Sequence, residues 1–165
     1  QKTAYEIPKR DWSSDVCSSD LKTGKLDTTF GQGGFVDSGT PWNGVPLIYK
    51  NVIVLGVYDV EITIGERAGD TRAFDARSGD KLWSFKTVAQ PGDPNHAAAW
   101  LDDGWKRRQG VNHWGWYFTV DEQRDIIYTT LGSPAGNYWG GDRPGTNLYA
   151  NSVVALDAKI GRAHV

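Results

Sequence analysis

Ala73-Phe74-Asp75-Ala76-Arg77-Ser78-Gly79-Asp80-Lys81-Leu82-Trp83 is the stretch whose reading decides the fold. An extended run ends at Asp75, whose carboxylate can accept from the backbone amides of the turn that follows. Gly79 can take a positive φ that other residues resist. Leu82 to Phe85 then resumes as a strand, with Trp83 available to pack against a neighbour. The phrase reads as a hairpin with an anchor built into it. A single copy would be an ordinary β-turn.

The phrase recurs. Lys22-Thr23-Gly24-Lys25-Leu26 is a truncated earlier copy, and Ala155-Leu156-Asp157-Ala158-Lys159 begins a later one. Repeats of about 40–50 residues, lengthened by insertions on one face, suggest the blades of a β-propeller. Other hairpins lie between the copies. Pro46 to Tyr49 and Val52 to Val57 flank a Lys50-Asn51 turn. Trp116 to Val120 and Ile126 to Leu131 flank the polar turn Asp121 to Asp125, and Asn151 to Leu156 reads as a further strand. Between Thr87 and Asn112 lies a polar insertion with Pro and Gly, in which Ala97 to Trp105 is expected to form a short helix. A connection this long inside a compact fold is usually functional or disordered.

Composition agrees with an all-β chain. The 165 residues include 20 Gly, 8 Trp and 7 Tyr, and Gly, Asn, Asp and Pro punctuate short β-rich runs. The length allows one domain, and an apolar fraction of 39% is enough for a core. A formal net charge of -2 without a basic cluster does not suggest a nucleic-acid partner. No apolar run approaches the 18 or so residues of a membrane span.

The two ends read differently from the middle. Ile160 to Val165 can be encoded as ATC GGA AGA GCA CAC GTC, and the reverse complement of that DNA translates to Asp15 through Asp20 of the same chain. A sequencing adapter ligated to both ends of a DNA fragment produces this relation, and a protein has no reason to. Residues 1–21 and 160–165 are therefore expected to be translated adapter, set aside as one sets aside expression scars. The alternative, a Ser-rich linker and a natural tail, leaves the antisense relation unexplained. The expected organisation is a non-native segment 1–21, a partial propeller 22–159 and a non-native tail 160–165. Cys17, the one cysteine, then falls outside the genuine segment, so cysteine usage says nothing about redox compartment.

The middle resembles a known family. Asn112-His113-Trp114-Gly115-Trp116-Tyr117, Ile127-Tyr128, Gly132-Ser133-Pro134, Gly140 to Gly145 and Asn147 to Ser152 resemble the pyrroloquinoline-quinone (PQQ) dependent alcohol and sugar dehydrogenases. The phrase around Asp75 and Trp83 resembles their tryptophan-docking motif. The resemblance covers nearly all of residues 22–159 and implies a fragment, about two blades, of an eight-bladed all-β propeller. It also implies the cofactors PQQ and Ca²⁺, a periplasmic location, a small sugar or alcohol substrate, and a quinone or cytochrome c as electron acceptor.

The resemblance assigns roles to four residues. Trp114 would form the floor of the cofactor site, where a rigid π face holds a planar tricyclic ligand; stacking adds roughly 0.5–1.5 kcal/mol beyond area burial. For an isolated Trp the alternative is interblade packing, which is also the alternative for Trp116. Asn112 stands where the family often hydrogen-bonds the cofactor; a turn Asn is the alternative. Ser133, counted with the cofactor-binding positions, replaces the Asn of a Gly-Asn-Pro turn that ligates Ca²⁺ in the alcohol dehydrogenases, a departure that either weakens the case for the metal or points toward the sugar-oxidising branch, where the position varies. Glu66 is the nearest match to a carboxylate ligand of the ion, followed by Glu61 and Asp59; a solvated loop carboxylate is the alternative. Arg143 could bind a cofactor carboxylate, though a solvated loop Arg is the stronger reading. His113 and His96 have no visible partner carboxylate and read as surface or satisfied residues.

The implied reaction is hydride transfer from substrate to quinone, with an Asp accepting the hydroxyl proton. That Asp and a cofactor-binding Lys follow the third phrase in the family, so no catalytic residue is assigned here. Two blades alone leave strand edges unpaired, and the isolated chain is expected to be poorly folded and inactive. The competing reading is a non-catalytic propeller scaffold with the same docking phrase; the sequence around Trp114 favours the enzyme. Resequencing the source locus with adapters trimmed should continue the third phrase from Lys159 into Thr-Gly and a later Trp. A locus that encodes residues 1–21 and 160–165 as they stand would refute the adapter reading.

Overall fold

The structure is a computed structural model that describes residues 15–17, 22–39, 42, 44–57, 69–93, 96–107, 110–134, 136 and 138–164, with backbone alone for residues 15–17, 112 and 114–117. Strands β1 (Asp15–Cys17) and β2 (Phe35–Asp37) form a small antiparallel pair. Strands β3 (Leu47–Tyr49), β4 (Val52–Leu55), β5 (Thr71–Asp75) and β6 (Lys81–Phe85) form a four-stranded antiparallel sheet in sequence order. Strands β7 (Val111–Asp121), β8 (Ile126–Pro134) and β9 (Ser152–Asp157) form a second, three-stranded sheet, also in sequence order.

The turns explain why these strands form where they do. In the turn after β5, the Asp75 carboxylate accepts from the amides of Arg77 at 2.8 Å and Ser78 at 2.9 Å. Gly79, at φ +80°, closes the turn by donating its amide to the Asp75 carbonyl. Those amides, Ser78's first, hold the Asp75 carboxyl below its ordinary pKa. Asp157 does the same after β9, accepting from Lys159 and Ile160, with Gly161 at φ +64°. Ile160 and Gly161 thus complete a turn of the same form as the one at Asp75. The β7–β8 turn uses Asp121, which accepts from Gln123 and Arg124.

Strand pleating sends alternate residues to opposite faces. On one face of the first sheet Val54, Ala73, Trp83 and Phe85 pack against Ile127, Leu131, Val154 and Leu156 of the second. On its other face Ile53, Leu55 and Phe74 pack against Phe30 and Trp42. Trp83 locks the sheets together. Its indole Nε1 donates to the Ala158 carbonyl at 3.0 Å, and a Cβ placed on Gly161 would lie 2.3 Å from its ring. Phe30 holds a comparable position on the preceding turn. It is fully buried, a Cβ on Gly79 would lie 3.2 Å from its ring, and the adjoining Gly31 amide donates to the Ser78 carbonyl. Tyr49 makes a third tie, donating its hydroxyl to the Asp125 carboxylate across the sheets. The outer face of the second sheet, with Tyr128 and Val153, is exposed.

Two expectations change. The helix expected over Ala97 to Trp105 is split into α1 (His96–Ala99) and a 3-10 turn (Gly104–Arg107). Asp102 and Asp103 between them stand at φ 50° and 56°, which no right-handed helix accommodates. The strand expected to reach Val57 stops at Leu55, because the Val57 backbone is engaged by His113. Among the described residues no helix is long and apolar enough to cross a membrane.

The Trp83 contact predicts a graded series in urea denaturation, read in the full-length protein because the isolated chain is expected to fold poorly. Trp83→Ala should cost about 3–5 kcal/mol through the cavity it leaves. Trp83→Phe should cost about 1–2 kcal/mol plus lost area, because the Ala158 carbonyl loses its donor. Gly161→Ala should also destabilise, by about 1–3 kcal/mol, by pushing a methyl into the indole. A Trp83→Ala midpoint equal to wild type would refute this account.

Candidate functional site

The region around the first residues of β7 gathers the segments that carry the sequence-assigned residues. Val111 is paired with Pro134, and His113 with Leu131; the register shifts between these pairs, where Asn112 lies. It shifts again between His113 and Phe118, because Phe118 pairs with Thr129. Five steps along β7 thus face two along β8, leaving three extra residues in the stretch that contains Trp114. Bulges of this kind bend a strand and re-aim its side chains, and they are over-represented beside active sites. The side chains of Asn112 and Trp114 lie outside the described residues.

His113 is the buried hub of this region. The Val57 amide donates to its Nδ1 at 2.9 Å, and its Nε2 lies 2.7 Å from Thr71 Oγ1. Because Nδ1 is an acceptor here, the ring proton sits on Nε2 and is donated to Thr71, and the ring is neutral. The His113 amide also donates to the Val57 carbonyl, so one residue ties β7 to both ends of segment 57–71. Gly56 allows the approach: a Cβ there would come 2.5 Å from the His113 ring. Trp42 and Phe118 flank the imidazole at centroid distances of 6.1 and 5.9 Å. Complete burial, with the nearby charge of Arg72 as a lesser cause, lowers its pKa to about 4.

The rest of the seam is backbone and hydroxyl chemistry. Gly69 and Gly110 form a parallel bridge, and a Cβ on Gly110 would lie 2.1 Å from Gly69. The Thr87 hydroxyl donates to the Gly69 carbonyl and accepts from the Val111 amide. Glu66, Glu61 and Asp59 lie outside the described residues; the described ends of their segment, Val57 and Gly69, both reach β7. Ser133, half-buried on β8 next to Pro134, donates its hydroxyl to Asn151 Oδ1 at 3.1 Å. The backbone therefore brings the positions of Asn112, Trp114 and Ser133 onto neighbouring stretches of one sheet.

Arg143 is not a solvated loop residue. It is half-buried, donates from Nη1 to the Asn147 side chain, and its carbonyl accepts from Asn147 Nδ2. This loop packs on the 87–110 insertion, where the Asn147 amide donates to the Ala99 carbonyl and the Leu101 amide to the Pro144 carbonyl. Tyr138 and Trp139, in the same loop, are exposed. His96 has its Nδ1 2.8 Å from the Ala89 carbonyl and its ring edge-on to Trp105, as a satisfied residue would. Sequence reasoning missed Thr71, Thr87, Asn151 and the Gly69–Gly110 approach, none of which carries a motif of its own.

Among the described residues no three His, Cys, Asp or Glu side chains cluster as a metal site. Hard cations take carboxylate, carbonyl and water oxygens, and a hydroxyl oxygen shares their lone-pair chemistry. Ser133 suits one, because committing its proton to Asn151 leaves lone pairs on the hydroxyl oxygen.

Comparison with known proteins places this arrangement. The family model for the glucose/ethanol/alcohol dehydrogenase β-propeller domain matches residues 6–164. The chain is 30% identical over 114 residues to quinoprotein glucose dehydrogenase of Escherichia coli, covering 68% of this chain and 14% of that protein. It is 28% identical over 169 residues to quinohemoprotein alcohol dehydrogenase of Comamonas testosteroni, covering 92% of this chain and 22% of that one. The crystal structure of the Comamonas testosteroni enzyme superposes with a TM-score of 0.73 at 23% identity, over 93% of this chain and 24% of that one. At that identity the superposition speaks for the fold alone. The chain spans about a fifth of the length of the curated relatives it matches.

The buried neutral His113 predicts a pH signature. Its folded pKa lies below the ordinary 6.5, so its contribution to stability is complete above that pH. As pH falls from 6.5 toward about 4 the unfolded chain takes the proton first, and up to about 3 kcal/mol should be lost. Asp75, Asp121 and Asp125, whose pKa values are lowered from 3.8, lose their contributions only below that pH. Urea melts of the full-length protein across pH 4–7 should show the loss in wild type and a smaller one in His113→Gln. A flat wild-type profile would contradict the buried neutral ring.

Proposed function

The chain belongs to the PQQ-dependent glucose/ethanol/alcohol dehydrogenase β-propeller family, and from that premise we propose that it is part of a quinoprotein dehydrogenase that oxidises a sugar or an alcohol. In this reading the two larger sheets are neighbouring blades, and the seat of Trp83 on the turn after β9 is the docking contact between them. The observation that carries the proposal is the bulge in β7 at residues 114–117, beside Asn112, whose own stretch of β7 lies across from Gly132 and Ser133.

Trp114 offers its indole face as the floor on which the planar cofactor lies, and Asn112 offers an amide to the cofactor's polar edge. Ser133 and Glu66 are the residues that would hold Ca²⁺, through a hydroxyl and a carboxylate oxygen. When bound, the quinone accepts the hydride and the ion acts as a Lewis acid. His113 and Thr87 fasten the strand that carries the floor to Val57, Gly69 and Thr71. No residue of this chain is assigned as the base that takes the substrate proton. Relatives are named for both kinds of electron acceptor, as in the methanol dehydrogenase [cytochrome c] of Methylorubrum extorquens and the alcohol dehydrogenase (quinone) of Komagataeibacter europaeus. By the same reading this protein passes electrons to a quinone or cytochrome c in the periplasm.

Fluorescence titration with PQQ tests the floor. In the full-length protein that carries this chain, PQQ should quench the tryptophan emission saturably and raise the melting temperature, since a ligand of the folded form stabilises it. Trp114→Ala should weaken binding about tenfold or more, and Trp114→Phe should lose less. Without its base the chain alone should reduce no dye. Equal PQQ affinity in Trp114→Ala and wild type would remove Trp114 from the site.

A further inference from the structure

We propose that Asn151 is a positioning residue for Ser133, supplying from a neighbouring turn the amide that the Gly132-Ser133-Pro134 sequence lacks; this rests on the reading of Ser133 as a cation ligand given above. Asn151 grips that sequence twice. Its backbone amide donates to the Gly132 carbonyl at 2.8 Å, and its Oδ1 accepts the Ser133 hydroxyl at 3.1 Å.

The second bond decides the chemistry of Ser133. A serine hydroxyl has one proton and two lone pairs, and a free one rotates among its partners. Donation to Asn151 fixes the rotor and turns the oxygen into an acceptor toward whatever lies beside it. That is the character a hard cation requires, and an unrestrained hydroxyl supplies it only part of the time.

The backbone suits the role. Asn151 stands at φ 50°, in the left-handed region that Asn tolerates better than most residues. Asn147 and Tyr149 just before it also have positive φ, at 51° and 76°. Ser152 Oγ donates to the Tyr149 carbonyl and the Ala150 amide to the Asn147 carbonyl, which holds this strained turn in place. Asn151 is therefore presented to Ser133 by a turn of defined shape, at the point where β9 begins beside Leu131 of β8.

The test is PQQ quenching measured over a range of calcium concentrations in the full-length protein that carries this chain. Asn151→Gly keeps the backbone conformation and removes the amide. It should raise the calcium needed for half-maximal quenching about tenfold, the scale of one hydrogen bond that orients a ligand. Affinity for PQQ at saturating calcium and the melting temperature should change little. Asn151→Asp keeps an acceptor for the hydroxyl and should restore the calcium dependence to within about threefold of wild type. Ser133→Ala should match Asn151→Gly, and the double variant should be no worse than either, because the two act as one unit. Additive losses, or a calcium midpoint in Asn151→Gly equal to that of wild type, would overturn the inference. Wild-type quenching that ignores calcium would overturn it too, while leaving the PQQ reading intact. Wild-type chain that PQQ does not quench at all would remove the reading beneath it.

Discussion

The seat of Trp83 on the turn at Asp157 to Gly161 is the contact on which the rest of the arrangement depends. A large indole needs an apolar bed and a partner for its N–H, and that turn offers both. The bed exists because Gly161 has no side chain, and the partner is the Ala158 carbonyl. The turn has this shape because Asp157 gathers the amides of Lys159 and Ile160. With Trp83 seated, one face of the first sheet meets one face of the second, and their aliphatic residues close a shared core. Phe30 repeats the arrangement one turn earlier, against Gly79, where the first copy of the phrase has no tryptophan.

The candidate site grows out of the same packing. Once the sheets are face to face, the start of β7 meets Val57 and Thr71, and His113 is buried between them. A buried imidazole is stable only when both nitrogens are satisfied, and Val57 and Thr71 do this with the ring neutral. Gly56, Gly69 and Gly110 permit the close approach, and Thr87 spans the Gly69–Val111 gap. Only along this supported stretch does β7 break register with β8. A strand can carry three extra residues when its neighbours hold both ends of the bulge.

Much of this was legible in the residues. The Asp-to-Gly phrase announced its turn, because a carboxylate followed by two free amides and a glycine has few other conformations. The Lys50-Asn51 and Asp121 to Asp125 turns were legible for the same local reason. The helix over Ala97 to Trp105 was misjudged, because apolar composition there concealed the left-handed Asp102 and Asp103 that interrupt it. Arg143 was misjudged as solvated, because its partner Asn147 is brought to it by a loop whose shape is set by the insertion it packs on. Of the site, the family's sequence pattern named Trp114, Asn112, Ser133 and Glu66, but it had no means to reveal Asn151, whose link to Ser133 spans two strands.

By itself, the sequence determined the repeat, the position of each Asp-anchored turn and the family resemblance, because each depends on residues close together in the chain. Tertiary structure alone decided that Phe30 packs against the turn at Gly79, that His113 is a buried neutral hub and that β7 bulges around Trp114. Those outcomes depend on contacts between residues far apart in sequence, such as His113 with Thr71 and Trp83 with Ala158. No local pattern encodes such a contact, since it forms only when two sheets close over a common core.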